Sequence, residues 1–303
     1  MSDSNTVSVV GANGKLGSLL VDELLRRGAH VRAVVRPGRE GTVADAWPER
    51  VEVVSADLSD PNTLGAVCAG AMGVVSAVQG GPETIVDGQL ALLQACEEQG
   101  VRRFFPSDFS FNFFALAPGD NPNSDWRREF AEAAVGVAGE VQVVHVMNGC
   151  FIDREVLFGF LGAVDLASSK LELWGDGLEP MDFTTFRDTA AFTAEALLAE
   201  GEVPDRLFVS GAVLDVAGLA REIERGTGEP LEIVRRGSLA DLDRTIAERQ
   251  AAAPEDLFSY LSLMYWRGML NGKGKAPELH NRRFPGVEPM SIADYVAQLE
   301  RGA

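Results

Sequence analysis

The first half of the chain alternates short apolar segments with amphipathic ones. Val7, Val9 and Val10 form the first apolar segment, and leucines then recur on one face of a helix over 16–24. Apolar strands that alternate with helices are typical of a parallel sheet covered on both faces, so we expect an α/β fold with a doubly wound, Rossmann-type sheet. The pattern predicts further strands at 51–55, 73–76, 102–105 and 141–146, and helices at 61–69, 82–99 and 123–138.

The second half is less regular, and we expect a smaller, mostly helical region there. Just before it, Asn123 or Ser124 is expected to be the N-cap of the helix that runs to about 138. The pattern predicts strands at 171–174, 206–210 and 231–234, and helices at 154–161, 188–200, 214–225, 239–251, 254–269 and 291–298.

A glycine-rich turn separates the first strand from the first helix. The spacing of Gly11, Gly14 and Gly17 permits a tight turn, close approach of backbone to a pyrophosphate, and close packing of the helix on the sheet. The first turn of the helix would face the phosphates with unpaired N–H groups. We therefore expect this turn to bind a nicotinamide dinucleotide through Gly11, Asn13, Gly14, Lys15, Leu16 and Gly17.

This site predicts the domain organisation. Residues 1–152 are expected to form the NAD(P)-binding domain, and 185–212 are expected to return to it. Residues 153–184 and 213–303 are then expected to form a substrate-binding region, so that the boundary between the two is discontinuous.

Two arginines follow the second strand, where an NAD-preferring protein would place an acidic residue for the ribose hydroxyls. The guanidinium groups of Arg36 and Arg39 suit a 2′-phosphate instead, so NADP(H) is the expected cofactor. The competing interpretation is an exposed arginine at the end of a strand. Asp57, which precedes Leu58 after the third strand, either accepts from the adenine amino group or caps the next helix.

Ligands of such sheets lie beyond the carboxyl ends of the strands. Ser76, Ala77 and Gln79 follow the fourth strand and are expected to contact the cofactor. The aromatic side chains over 109–114 either line a pocket or pack beneath a long loop. By the same rule two further segments should flank the nicotinamide, namely Pro106, Ser107 and Asp108, and Asn148, Gly149, Cys150 and Phe151.

The composition of the chain limits which ligands and partners the protein is expected to bind. A formal net charge of −18 disfavours nonspecific binding to nucleic acid or to anionic membranes. The three cysteines and three histidines are widely spaced, which predicts neither a metal site nor a disulfide framework. No apolar run approaches the ~18 residues of a membrane span. The first strand begins too early for a signal peptide, so a cytoplasmic location is expected.

Several longer motifs are more specific than the glycines. They are GANGKLG at 11–17, RFFPSDF at 103–109, GCF at 149–151, WGDG at 174–177 and FPGVEPMSIADYV at 284–296. Together they resemble the NmrA-like atypical short-chain dehydrogenases/reductases, and within them the isoflavone reductase and phenylcoumaran benzylic ether reductase group. The resemblance implies pyrophosphate binding by the three glycines, 2′-phosphate binding by Arg36, and contacts of 106–108 and 149–151 with nicotinamide. It also implies hydride transfer from NADPH to a small, often aromatic substrate held by the C-terminal part.

The chain departs from the catalytic groups of these families. No tyrosine is followed by the lysine of a Tyr-x-x-x-Lys pair, and no lysine lies between Lys15 and Lys170, where the benzylic ether reductases place theirs. On the corresponding helix, Arg127 borders the apolar face and Arg128 points nearly away from it. Arginine stays protonated, so Arg127 is expected to orient a substrate oxygen rather than to donate a proton.

The proton would come from Asp108, His145 or water. His145 lies in a predicted core strand, where a structural histidine is the alternative interpretation. The first functional hypothesis is therefore an NADPH-dependent reductase of a small, aromatic or unsaturated carbonyl-type substrate. The second is a non-catalytic NADP(H) sensor of NmrA type that binds a protein partner. A homodimer is compatible with either hypothesis.

Overall fold

The computed structural model describes residues 5–41, 46–47 and 50–301. Within these ranges the chain folds as two compact units, each assembled from three separate segments. The first unit comprises 1–109, 125–146 and 189–207, and the second comprises 110–124, 147–188 and 208–303. Four segments that were expected in the first domain therefore lie in the second unit, namely 110–124, 147–152, 185–188 and 208–212. The sequence places a connection at 37–50, between the second and third predicted strands, and this connection lies partly outside the described residues.

A six-stranded sheet is the centre of the first unit, with every neighbouring pair parallel and the order β3-β2-β1-β4-β5-β6. This arrangement confirms the predicted doubly wound Rossmann-type sheet. Its strands agree closely with the hydrophobic pattern and are β1 Thr6–Val10, β2 His30–Val35, β3 Val51–Ser55, β4 Gly73–Ser76, β5 Arg103–Phe105 and β6 Gln142–Val143.

Helices connect these strands and bury their apolar faces on the sheet. The longest predicted one, at 82–99, consists of a π-helical turn at Glu83–Gly88 followed by a regular α-helix. A 3-10 turn at Pro61–Thr63 likewise precedes the short second helix. The helices are α1 Lys15–Arg26, α2 Leu64–Cys68, α3 Gln89–Glu98, α4 Pro122–Ala134 and α5 Phe186–Leu198.

Two predictions about this part of the chain are wrong. Helix α4 begins at Pro122, so neither Asn123 nor Ser124 is its cap; the Asn121 side chain accepts from the Ser124 N–H, and proline suits the first helical position. The single strand predicted at 141–146 is broken at Val144 into β6 and β7 (His145–Met147). The His145 N–H donates to the Asp205 carbonyl at 2.7 Å, and the chain thereby leaves the central sheet.

A buried arginine attaches the returning segment to the central sheet. Arg103 on β5 is 2% exposed, and its guanidinium donates to carbonyl oxygens at the C-terminal end of α5 and just beyond, including Ala196 and Gly201. Its Nε donates to the Gln142 side chain on β6. A cation is favourable at a helix C-terminus, and these bonds satisfy carbonyls that the helix leaves unpaired.

The second unit contains two small sheets as well as helices. Their orders are β13-β11-β8 and β14-β10-β9. Most of their strands are too short to show alternation in the sequence. The strands after β7 are β8 Cys150–Phe151, β9 Val164–Asp165, β10 Lys170–Trp174, β11 Met181–Thr184, β12 Arg206–Phe208, β13 Ala212–Leu214 and β14 Glu232–Gly237.

The described part of the second unit also contains a π-helical segment at Arg154–Phe160, where a helix was predicted, and four α-helices. Its main apolar core includes Leu171, Phe183, Leu219 and Trp266, all at most 2% exposed. A 3-10 turn at Asn281–Arg283 precedes the last helix. The four helices are α6 Val216–Thr227, α7 Leu239–Ala252, α8 Phe258–Leu270 and α9 Ile292–Arg301, and all four were predicted within a few residues.

Candidate cofactor and proton-transfer site

The turn between β1 and α1 is built so tightly that two of its glycines have no room for a side chain. Gly11 has a left-handed φ of +79°, and a Cβ there would lie 2.7 Å from the Ala77 carbonyl oxygen. A Cβ at Gly17 would lie 2.0 Å from the Gly11 carbonyl oxygen. The absence of side chains therefore lets the start of α1 approach both the turn and the end of β4.

The N-terminus of α1 has the properties of an anion site. Gly14 is its N-cap in an extended conformation, and no acidic residue lies in the first turn. The first N–H groups of a helix have no intrahelical acceptors, and the helix dipole favours negative charge there. Asn13 and Lys15 are exposed beside the turn and Leu16 is half-buried. These residues fit the pyrophosphate of a dinucleotide.

The groups expected at the adenosine end lie after β2 and β3. Arg36 and Arg39 are exposed, directly past the last residue of β2. Asp57 accepts from the Ser59 N–H at 2.9 Å and from the Ser59 hydroxyl, and these bonds, with a smaller effect of the Arg36 charge, lower the pKa of Asp57. The cap of the next helix is Asp60, so the capping interpretation of Asp57 is wrong.

The segment after β4 lies against the glycine turn. The Ala77 N–H donates to the Val10 carbonyl at 2.8 Å, which holds 76–79 beside the end of β1. Ser76 is fully buried, and its hydroxyl has no hydrogen-bond partner within the described part of the chain. An unpaired buried hydroxyl is costly, and it fits a position that a ligand completes. Gln79 is exposed, and Leu58 after β3 is half-buried.

At the end of β5 a carboxylate and an imidazole form a buried pair. Asp108 is fully buried and His145 is 8% exposed; Asp108 Oδ2 lies 2.6 Å from His145 Nδ1. Phe130 packs its ring edge-to-face with the imidazole at 6.3 Å. The second carboxylate oxygen, Oδ1, has no hydrogen-bond partner among the described residues. A carboxylate behind the imidazole fixes its tautomer and orientation.

Arg127 contacts this pair from α4. Its Nε donates to the Asp108 backbone carbonyl at 2.9 Å, and the residue is half-buried. The neighbouring Arg128 forms an ion pair with Asp125, and its side chain is 14% exposed. Arg127 thus donates to the backbone of Asp108, and Arg128 pairs with Asp125.

These residues meet because their strands are parallel. The strands β1 to β5 end at Val10, Val35, Ser55, Ser76 and Phe105, so the residues that follow them lie along one edge of the same sheet. The structure brings together there the residues predicted from the first unit: the glycine turn with its Asn13, Lys15 and Leu16, then Arg36, Arg39, Asp57, Leu58, Ser76, Ala77, Gln79, Pro106, Ser107, Asp108, Arg127 and His145.

The remaining predicted contacts, 148–151, lie in the second unit. Asn148 is fully buried, and neither polar atom of its side chain has a partner within the residues described. Gly149 is left-handed, at φ +72°, and lies against the Asp182 backbone. Phe151 stacks on Phe186 with ring centroids 4.0 Å apart. Burial raises the pKa of the Cys150 thiol, which argues against a nucleophilic thiolate.

The aromatic residues of 109–114 are packing residues for the most part. Phe109, Phe111 and Phe113 are at most 9% exposed. Phe111 contacts Tyr265 edge-to-face at 5.3 Å within the second unit, and Phe113 packs on Phe114 at 4.3 Å. The alternative of packing beneath a loop therefore describes them better than an open aromatic pocket.

Sequence reasoning missed two polar side chains near these segments. Gln89, fully buried at the start of α3, accepts from the Ser107 N–H at 2.7 Å. In the second unit, Lys275 Nζ lies 2.7 Å from Asp182 Oδ1. A glutamine between Gly88 and Leu90, on an otherwise apolar helix face, was the available signal for the first. The second could not be found without the fold, since 93 positions separate its partners.

Two features are absent from the described part of the chain. No group of histidine, cysteine and carboxylate side chains has the arrangement of a metal site. None of the helices is both long and apolar enough to cross a bilayer.

Comparison with known proteins supports the cofactor. Residues 11–132 match the family model described as NAD(P)H-binding. Cinnamoyl-CoA reductase 1 of Oryza sativa is 34% identical over 112 residues, which cover 33% of this chain and 33% of the rice protein. The chain thus spans about a third of that relative's length. The family match confirms the predicted nicotinamide dinucleotide.

Solved structures match over nearly the whole chain. The structure of AtPrR2 with NADP+ and (+)-pinoresinol has a TM-score of 0.81 at 22% identity and covers 98% of this chain and 99% of its own. A crystal structure of isoflavone reductase has a TM-score of 0.81 at 19% identity, with the same coverage. These likenesses confirm the predicted fold, which this chain shares with isoflavone reductase.

Proposed function

We propose that this chain, which carries an NAD(P)H-binding domain at 11–132 and has the fold of isoflavone reductase, is an NADPH-dependent reductase of small oxygen-bearing, aromatic or unsaturated carbonyl-type compounds. The observation that carries the proposal is the buried Asp108–His145 pair at the sheet edge where the coenzyme site lies. A carboxylate beside an imidazole fixes the tautomer and orientation of the ring, and a positioned imidazole is the commonest general acid or base in enzymes. NADPH, when bound, would supply the hydride.

The second unit would hold the substrate, and residues 148–151 would contact the nicotinamide. The unpaired, fully buried amide of Asn148 supports that role, because it leaves a donor and an acceptor for a ligand. The preference for NADPH over NADH rests on Arg36, exposed after β2, with Arg39 close behind. Guanidinium groups bind phosphate with strong, charge-assisted hydrogen bonds.

The residues of the first unit divide the chemistry between them. His145 would donate the proton to the substrate oxygen, and Asp108 would hold the imidazole in the orientation that makes this possible. Arg127, fixed by its bond to the Asp108 carbonyl, would orient that oxygen and stabilise negative charge developing on it. Since arginine keeps its proton, the division between Arg127 and His145 follows from their chemistry.

The test is NADPH consumption with a panel of quinones, aldehydes and enones, combined with calorimetric binding of NADPH and NADP+. We expect turnover with at least one class. In His145→Gln, kcat should fall by about 100-fold or more, as the loss of a general acid implies, with the Kd for NADPH changed less than twofold. Tight binding of both redox forms without any turnover would favour the sensor instead.

Arg127 is tested against its neighbour. Arg127→Ala should depress turnover far more than cofactor affinity. The control is Arg128→Ala on the same helix, which removes the ion pair with Asp125 and should keep turnover within about twofold. Equal activity of Arg127→Ala and the wild type would refute the role of Arg127.

A further inference from the structure

Gln89 is a polar side chain in an apolar environment, next to the site but outside it. It is fully buried and begins α3, directly after the π-helical turn Glu83–Gly88. A buried amide is tolerated only where its hydrogen bonds are satisfied. π-helical turns are rare and occur frequently at functional sites. Both features single out this position.

Both ends of the Gln89 amide are hydrogen-bonded to backbone. Its Nε2 donates to the Ile85 carbonyl at 2.9 Å, and its Oε1 accepts from the Ser107 N–H at 2.7 Å. One partner is a carbonyl and the other an N–H, so the amide can have only one orientation. In a regular α-helix the backbone N–H of Gln89 would donate to the Ile85 carbonyl. Here that N–H donates to the Val86 carbonyl instead, and the Gln89 side chain donates to the Ile85 carbonyl.

Ser107 carries the connection toward the proposed proton donor. Its hydroxyl donates to the Val78 carbonyl at 2.6 Å, which attaches it to the segment after β4. The next residue is Asp108, whose N–H donates to the Pro106 carbonyl at 2.8 Å and whose carboxylate lies 2.6 Å from His145. The backbone position of Ser107 thus determines the position from which the Asp108 side chain extends toward His145.

We propose that Gln89 is a positioning residue, which fixes the backbone at Ser107 and through it the orientation of the Asp108–His145 pair. The inference rests on the proposed function, in which this pair handles the proton. Gln89 itself contacts neither Asp108 nor His145 through its hydrogen bonds. Its action is to supply the acceptor that holds the Ser107 N–H at one place.

The test compares three variants of α3. Gln89→Met has nearly the same size and removes both hydrogen bonds. Gln89→Glu, which burial would keep protonated, retains an acceptor for the Ser107 N–H and a donor for the Ile85 carbonyl. The control is Gln94→Met on the same helix, because Gln94 is exposed and its amide contacts only the neighbouring Glu98 among the bonds described. Each variant is assayed for turnover, for NADPH binding and for the NMR signals of its histidine rings.

We expect Gln89→Met to bind NADPH within twofold of the wild type while kcat falls at least tenfold. The ring signals of His145 should shift, and those of His30 and His280 should not. Gln89→Glu should restore most of the His145 signal and of kcat, and Gln94→Met should match the wild type. A folded Gln89→Met protein with the wild-type His145 signal would overturn the inference.

The ring signals also separate the two proposals. If no substrate is turned over, the reductase assignment fails, but the His145 shift in Gln89→Met still decides whether Gln89 positions the pair. If Gln89→Met does not fold, Gln89→Asn carries the same test, because the shorter amide remains polar but cannot reach both partners. An unchanged His145 signal in Gln89→Asn would then overturn the inference.

Discussion

Replacement of Gly17 by alanine should weaken coenzyme binding in a protein that still folds. The added Cβ would lie 2.0 Å from the Gly11 carbonyl oxygen, 2.8 Å from the Gly11 carbonyl carbon and 3.0 Å from the Ala12 Cα. All three contacts are to backbone, so no side chain can rotate away. Because Cβ contacts under 3.0 Å essentially never occur, α1 and the turn must separate by about 1 Å.

That displacement is large on the scale of a hydrogen bond. An N–H···O distance near 2.9 Å that lengthens by about 1 Å is no longer a hydrogen bond. Each bond from this turn to a phosphate oxygen is charge-assisted, with a contribution of about 1.5–3 kcal/mol. Loss of a single such bond should weaken NADPH binding by about 10- to 100-fold. Overpacking should also lower the free energy of unfolding by about 1–3 kcal/mol.

The measurements are calorimetric titration with NADPH and urea denaturation of Gly17→Ala. The matched control is Gly65→Ala in α2, where an added Cβ meets no atom within 4 Å. Its affinity should be unchanged, and the higher helix propensity of alanine should raise stability by up to about 1 kcal/mol. If Gly17→Ala binds NADPH with the wild-type Kd, the glycine turn does not hold the pyrophosphate.

Three further predictions follow from individual residues. Arg36→Ala should weaken NADPH binding by about tenfold or more and leave NADH binding unchanged by calorimetry, because one charge-assisted bond to the 2′-phosphate is lost. Burial raises the pKa of the Cys150 thiol, so iodoacetamide at pH 8 should leave Cys150 unmodified in the folded protein and label it after denaturation, by mass spectrometry. Burial alone would raise the pKa of Glu23, but the hydrogen bonds from Arg26 and Arg27 outweigh it and lower the pKa below 4.5. The resulting stabilisation is present above that value and is lost as the pH falls, so Glu23→Gln should flatten the loss of stability in acid denaturation.

Each of these has a contrary outcome. NADH and NADPH bound equally well by wild type and Arg36→Ala would remove the phosphate assignment. Rapid alkylation of Cys150 in folded protein would mean that the thiol is accessible and ionises readily. An acid-unfolding slope of Glu23→Gln identical to the wild type, measured between pH 5 and about pH 3, would mean that the two arginines do not stabilise the Glu23 carboxylate in the folded state.

The parts of the fold that the sequence predicts are those with a local signal. Strands β1 to β5 are apolar segments bounded by polar residues, and the glycine turn follows from steric limits that act within a few residues. The two-residue strands β8 and β9 carry no such signal, because two residues show no alternation and their partners decide their conformation. The break at Val144 has the same cause, since it arises when His145 pairs with Asp205.

The candidate site was likewise predictable from the sequence only in part. Arg127 was predicted from its place on a helix face and from the missing lysine, and its contact with Asp108 was not predictable from either. The pairing of Asp108 with His145 joins residues 37 positions apart, each of which was only a separate candidate in the sequence. Gln89 stands out in the sequence only as a polar residue on an apolar helix face, and that pattern does not identify its two backbone partners.

The guanidinium of Arg103 limits which fragments of this protein can fold on their own. Its hydrogen bonds attach residues 196–201 to a strand almost a hundred positions earlier. A fragment that ends at residue 146 would therefore contain every strand of the central sheet. It would nevertheless expose the Arg103 guanidinium, whose carbonyl partners lie at 196–201. We therefore expect that residues 1–146 do not fold independently. A stable fragment should require a linker that connects them to residues 189–207.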